Sequence, residues 1–242
     1  MFVCDREQLG SDLITLAGAE GRHATTVRRI MPGERVRLTD GAGLLAECEV
    51  LSARPGSGEL DLAVLARRRE PVPRCLVTVV QAIVKGDKGE LAAELMTEVG
   101  VDTIVPWAAE RCVPRWRSGR EDRALGRWRT ASREAAKQSR RSRFPVVTGQ
   151  ASTADVIARV RGAVLAVVLD PDAGAALAET PLPAHGEMVV VVGPEGGISP
   201  REHADLTAAG AVAARLGPTI LRGSTAGAVA AALVLSRCGR WS

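Results

Sequence analysis

Two stretches in the last quarter of the chain have the residue types and spacing from which a ligand site can be built. The first is Val189-Val-Val-Val-Gly-Pro-Glu-Gly-Gly-Ile-Ser-Pro-Arg-Glu202, an apolar run followed by glycines at 193, 196 and 197. Glycines at the carboxyl end of a strand supply positive φ and let backbone approach a ligand closely. An ordinary strand-to-helix connection would need one of them. Ser199, Pro200 and Glu202 read as helix N-cap, first helical residue and capping-box acid. The second stretch, Leu216-Gly-Pro-Thr-Ile-Leu-Arg-Gly-Ser-Thr-Ala226, repeats the pattern, with Ser224 or Thr225 expected to cap the next helix. Two such loops at neighbouring strand ends form a cleft for one flat ligand, held by main-chain amides and carbonyls.

The elements that must position these loops divide into two domains. Residues 1–70 read as β structure, with strands over 35–39, 46–51 and 60–65 and one helix over 20–30 that stops at Met31-Pro32-Gly33. Asp40-Gly-Ala-Gly-Leu-Leu-Ala46 matches the dinucleotide fingerprint Gly-x-Gly-x-x-Ala, but period-two alternation over 46–51 places a strand where that motif requires a helix. It predicts a hairpin turn. Ala66-Arg-Arg-Arg-Glu-Pro-Val-Pro73 reads as an extended linker, so the second domain occupies 74–242. There, strands over 76–84, 103–105, 163–169, 188–192 and 213–216 alternate with helices over 121–138, 152–160, 200–209 and 225–237. A further helix carries Leu91, Leu95 and Val99 on one face, capped at Asp87-Lys-Gly-Glu90. Such alternation implies an α/β domain around a largely parallel sheet.

Composition narrows the chemistry. The five cysteines are scattered, none pairs at Cys-x-x-Cys spacing, and the three histidines (His23, His185, His203) stand apart from them, so neither a metal site nor a disulfide framework is expected. No apolar run reaches bilayer length and the N-terminus lacks a signal-peptide pattern; a cytoplasmic protein without a membrane span is expected. With four Trp, two Phe and no Tyr, base stacking on an aromatic platform is disfavoured. Charge is uneven: residues 111–143 hold 12 basic residues against three acids, whereas the rest of the chain is mildly acidic. A localised basic segment of this kind suits a polyanion.

At this point the motifs carry a resemblance. Gly193-Pro-Glu-Gly-Gly-Ile-Ser199 and Leu216-Gly-Pro-Thr-Ile-Leu-Arg222 resemble the paired motifs of SPOUT methyltransferases, and most closely those of the 16S ribosomal RNA (uracil-N3)-methyltransferase family. His23-Ala-Thr-Thr-Val-Arg-Arg-Ile-Met-Pro-Gly33, Lys85-Gly-Asp-Lys88, Thr97-Glu-Val-Gly-Val101, Glu110-Arg111 and Gln138-Ser-Arg-Arg-Ser-Arg-Phe-Pro145 are similar to its other blocks, in the same order. The resemblance implies a small PUA-like β-barrel over 1–70 that helps bind RNA. It also implies a SPOUT-type α/β domain over 74–242 with a C-terminal trefoil knot, where topology rules alone would predict none. It further implies a homodimer, S-adenosylmethionine as methyl donor, and 16S ribosomal RNA or the 30S subunit as partner. Leu169, Gly193, Glu195, Gly196, Gly197, Leu216, Gly217, Ile220, Leu221, Ser224 and Ala226 are then the expected donor-binding residues. Where the family commonly has Leu-Arg-x-Glu-Thr-Ala, this chain has Leu221-Arg-Gly-Ser-Thr-Ala226, so position 224 can supply no carboxylate.

Methylation at N3 of uracil needs a route for the N3 proton and stabilisation of negative charge on O2 and O4. Arg222, permanently charged and beside a pocket loop, is the expected anion stabiliser, and Glu195 the expected base or donor-orienting group. Arg28, Arg29, Arg140, Arg141 and Arg143 are expected on RNA phosphates. Two rival readings remain open at this stage: a SPOUT enzyme acting on the ribose 2′-O of tRNA, and a catalytically silent RNA-binding or assembly protein.

Overall fold

The computed structural model describes residues 1–241 except 114, 115, 117, 118 and 120, so three arginines of the basic segment (Arg115, Arg117, Arg120) lie outside the described residues. The chain forms two compact units. One comprises Met1–Val72 with Ala136–Phe144, the other Pro73–Ala135 with Pro145–Ser242. The first unit therefore takes in a segment from the middle of the sequence, which hydrophobic patterning alone does not reveal.

The first unit is a five-stranded sheet in the order β1-β3-β4-β5-β2, formed by β1 (Phe2–Val3), β2 (Leu13–Leu16), β3 (Arg35–Thr39), β4 (Leu44–Arg54) and β5 (Glu59–Arg69). β3 and β4 pair antiparallel across the 40–43 turn, so the Gly-x-Gly stretch is a hairpin and not a dinucleotide loop. Gly43 adopts φ 101°, and a Cβ there would fall 2.5 Å from the Arg143 guanidinium. The expected helix over 20–30 is shorter: α1 (Gly18–Arg22) passes into one π-helical turn ending at Val27. Side chains at alternate positions, including Leu60 and Leu62 on β5 and Cys48 and Val50 on β4, point into one core with Leu9, Ile14 and Leu38. The linker expected over 66–73 begins later than its charge suggests. β5 runs on to Arg69, and Arg67 is used within the unit, donating to the carbonyls of Leu9 and Ser11.

The 136–144 segment is bound to this sheet by backbone bonds: the Gly43 amide donates to the Ser142 carbonyl at 2.9 Å and the Phe144 amide to the Gly41 carbonyl at 2.8 Å. Lys137 and Glu20 form an ion pair at 3.0 Å with both side chains largely buried.

The second unit is a six-stranded, wholly parallel sheet in the order β11-β9-β10-β6-β7-β8. Its strands are β6 (Cys75–Ala82), β7 (Thr103–Trp107), β8 (Val146–Val147), β9 (Leu165–Leu169), β10 (Gly186–Val192) and β11 (Val212–Ala214); its helices are α2 (Lys88–Val99), α3 (Glu121–Gln138), α4 (Thr153–Gly162), α5 (Pro200–Ala208) and α6 (Gly223–Arg237). Burial on both faces explains the unbroken apolar runs of β6 and β10. Met188, Val190 and Val192 face the core shared with α2 and α6, while Val189 and Val191 face the core shared with α4 and α5. The alanine-rich α6 can lie close to the sheet because its side chains are small. At Gly227 a Cβ would sit 3.1 Å from Val79 and 3.2 Å from Met96, tighter than ordinary packing.

Two expected caps differ. Asp87 precedes α2 in helical conformation and makes no side-chain cap bond. Neither Ser224 nor Thr225 caps α6: the N-cap is Arg222, Thr225 Oγ1 donates back to the Arg222 carbonyl, and Ser224 is buried inside the first turn. At α5 the expectation and the structure agree, with Ser199 as N-cap, Pro200 next and Glu202 completing a capping box.

Candidate active site

The carboxyl ends of β9, β10 and β11 lie side by side at one edge of the parallel sheet, where ligands of open α/β sheets bind. The loops after these strands surround a cavity of about 720 Å³, within the size range of small-molecule sites. The two glycine-bearing loops meet there: a Cβ on Gly223 would lie 3.7 Å from the Gly193 carbonyl oxygen. Both loops line the same open cavity.

The glycines of the first loop do separate jobs. A Cβ on Gly193 would fall 2.6 Å from Ile198 Cγ1, so this glycine is required by packing inside the loop. Gly197 adopts φ 74° and donates its amide to the Pro194 carbonyl at 2.8 Å, closing a tight turn. A Cβ on Gly196 would meet only Arg111, at 3.6 Å, and Gly196 does not line the cavity. Of the three loop glycines it alone lies outside the cavity lining, against Arg111.

Of the other expected site residues, Leu169, Gly193, Glu195, Gly197, Leu216, Gly217, Ile220, Leu221, Arg222 and Ala226 all line the cavity, and Ser224 does not. Glu195 is half exposed and lies 3.5 Å from Lys88 Nζ. The cavity wall also includes Arg111, Asp170, Asp172, His203 and Thr219, none of which was expected as a site residue. Asp170 and Asp172 could have been found from their place directly after a buried strand. Arg111, which the sequence marked only as part of a family block, and His203 are brought to the cavity by the fold. His203 Nε2 faces Asp170 Oδ2 at 3.3 Å, an ion pair whenever the imidazole is protonated.

Glu202 organises the segments behind the first loop. Its buried carboxylate accepts the Glu110 amide (2.9 Å), the Thr153 hydroxyl (2.8 Å), and the Ser199 amide and hydroxyl (3.3 and 3.1 Å). One side chain thereby ties together the loop after β7, the start of α4 and the start of α5.

Of the arginines expected on RNA, Arg28 and Arg140 line a second cavity of about 320 Å³ in the first unit, together with Arg35 and Arg37. Arg29 and Arg140 both hold positive φ, at 52° and 58°. Arg29 is exposed, and Arg141 is half-buried. Arg143 has a structural task, donating to the carbonyls of Glu70 and Pro71 at 2.6 and 3.2 Å. Other members of the basic segment are likewise engaged, Arg127 by Glu90 and Arg129 by the Val147 carbonyl. Among the described residues no cluster of His, Cys, Asp or Glu is arranged to hold a metal ion, and no helix is long and apolar enough to cross a membrane.

Comparison with known proteins agrees with this geometry. Residues 70–235 match the RNA methyltransferase domain family and residues 16–62 match an RNA methyltransferase PUA domain. Fold and cleft together define an α/β RNA methyltransferase with a PUA domain at its N-terminus. Over 228 residues the chain is 50% identical to the ribosomal RNA small subunit methyltransferase E of Mycobacterium bovis, covering 93% of this chain and 86% of that one. The Bacillus subtilis protein of the same name is 28% identical over 220 residues, covering 88% and 85% of the two chains. The solved structure of a ribosomal RNA small subunit methyltransferase E from Neisseria gonorrhoeae, bound to S-adenosyl methionine, superposes with a TM-score of 0.85 at 25% identity, covering 98% of this chain and 96% of that one. The chain belongs to the ribosomal RNA small subunit methyltransferase E family.

Proposed function

We propose that the protein transfers a methyl group from S-adenosylmethionine to N3 of a uridine in the 16S ribosomal RNA of the small subunit. The observation that carries this reading is the open cavity where the 193–199 and 216–223 loops converge, in a chain of this family. The cavity's residues fit the donor. Asp170, Asp172 and Glu195 suit a ligand that bears a sulfonium and an ammonium, and Leu169, Leu216, Ile220, Leu221 and Ala226 offer apolar contact for an adenine. Bound there, the donor supplies an electrophilic methyl group.

The chain's own residues do the rest. N3 lies on the pairing edge of uracil, so the target base is unpaired or turned out of its helix before it enters. Arg222 offers a fixed positive fork to O2 or O4 as the imide loses its proton, and Glu195 accepts that proton. Arg28, Arg29, Arg140 and Arg141 hold phosphates and set the position of the RNA without reading its sequence. Arg143 is committed to the backbone at Glu70 and Pro71 and adds little to that contact.

The protein acts in the cytoplasm, and it acts as a homodimer, the latter reading supported by two exposed apolar side chains, Ile220 on the cavity wall (82% exposed) and Val229 on α6 (45%). The trefoil knot is supported by the path of the last segment. After β11 at one edge of the sheet, the chain returns to set α6 against β6 and β10.

Incubation with labelled donor and small ribosomal subunits lacking the modification, followed by nucleoside mass spectrometry, tests the reading. Label in 3-methyluridine from 16S RNA is the expected result. Label in a 2′-O-methyl nucleoside, or none with RNA bound, refutes it.

A further inference from the structure

Among the described residues that line the cavity, Arg111 alone comes from the chain before β9. It follows β7, and the sheet order β9-β10-β6-β7 places β7 three strand spacings from β9, roughly 14 Å. The cavity wall thus carries the carboxylates of Asp170 and Asp172 at its β9 end, Glu195 and Arg222 on the loops after β10 and β11, and a second guanidinium, Arg111, reaching in from the β7 side. Arg111 is held there on purpose of the fold: its neighbour's amide is fixed by buried Glu202 at 2.9 Å, and its Nη1 donates to the Gly196 carbonyl at 3.2 Å. Among the described residues no carboxylate pairs with Arg111, which spends one of its five N–H donors on that carbonyl.

A guanidinium on a cavity wall, with no carboxylate partner among the described residues, is a ready site for an anion. The methyl donor is a poor partner, because its sulfonium, ammonium and carboxylate sum to one positive charge, which the acidic β9 end suits better. RNA brings one negative charge per nucleotide. A base turned out of its helix also needs its backbone held while the base sits in the pocket. Building on the proposed function, we propose that Arg111 binds a phosphate flanking the target nucleotide, so that the β9 end of the cavity takes the donor and the β7 end takes the RNA. The planar fork suits two phosphate oxygens at once.

The test measures binding of a 16S ribosomal RNA transcript to the full chain as a function of salt, beside calorimetry with S-adenosylmethionine. Removing one phosphate contact lowers the slope of log K against log salt by about 0.7–0.9. Arg111→Ala is expected to show that drop with about a ten-fold loss of RNA affinity, donor affinity staying within about two-fold. Arg111→Gln, which keeps a donor for the Gly196 carbonyl but no charge, is expected to lose the same slope, and Arg111→Lys to keep it with part of the affinity. An unchanged slope in both the Ala and Gln variants overturns the assignment, as does a loss confined to donor affinity, which would place Arg111 on the donor. The slope is read from RNA binding alone. Failure of the wild-type protein to make 3-methyluridine would therefore count against the proposed function and leave this result standing by itself.

Discussion

Replacing Glu202 by Gln is a severe test of the view that one buried carboxylate holds the site together. Glu202 is 4% exposed, and each of its oxygens accepts two hydrogen bonds, from the Glu110 amide and Thr153 hydroxyl on one side and from Ser199 on the other. A glutamine keeps one acceptor oxygen and turns an NH₂ group toward donors, so two of the four bonds are lost. Hydrogen bonds to a charged group contribute about 1.5–3 kcal/mol each, which puts the gross cost at about 3–6 kcal/mol. Burying a neutral amide is easier than burying a carboxylate, which returns part of that and leaves about 2–4 kcal/mol. For a chain of this length the melting temperature should fall by roughly 5–15 °C. Urea unfolding should show the same change through its midpoint with an unaltered slope. The losses should also be non-additive. Thr153→Val costs about 1 kcal/mol in the wild type, and less in the Gln background, where its acceptor is already compromised. A Glu202→Gln protein that melts within about 2 °C of wild type would refute the reasoning.

The remaining expectations follow from contacts at the cavity and in the cores. Gly193→Ala drives a Cβ into Ile198 at 2.6 Å; an overpacking cost of about 1–3 kcal/mol should appear as weaker donor binding in calorimetry and be partly relieved by a second change, Ile198→Ala. Gly196→Ala meets Arg111 at 3.6 Å, ordinary contact, and should leave donor affinity within about two-fold, which the same titration checks. Arg222→Ala should lower kcat by about a hundred-fold or more with a smaller effect on donor affinity, as loss of one stabiliser of developing charge would, and single-turnover methylation separates the two. Burial pushes the Cys4 and Cys48 thiols up to about 11, so both stay protonated in the folded protein after an unfolded chain has begun to ionise. Stability should therefore decline as pH rises from about 9 toward 11, a loss that Cys48→Ala should flatten in melts taken across that range.

Much of the architecture was determined locally. Alternation with period two over 46–51 made the Gly-x-Gly stretch a hairpin, and Ser199-Pro200-Arg201-Glu202 wrote the start of α5 in side-chain chemistry that needs no distant partner. The five-residue apolar run from Met188 to Val192 called for burial on both faces, and the parallel sheet delivers it. Most of the cavity lining was legible for the same reason, since both glycine loops directly follow strands whose carboxyl ends share one edge.

Other features depend on which segments meet, and no local pattern encodes that. The 136–144 stretch joins the first unit through backbone bonds at Gly41 and Gly43, and backbone donors carry no residue-type signature. Arg143 looked like an RNA contact because its charge is visible in sequence, whereas the carbonyls of Glu70 and Pro71 that occupy it are not. Arg111, separated from the glycine loop by more than eighty residues, reaches the cavity because β6 and β7 follow β10 in the sheet order, and Glu202 fixes its loop across that distance. Gly196 is a further case: its sequence context suggests a ligand beside it, and that Arg111 lies within ordinary contact of it is visible only in the fold.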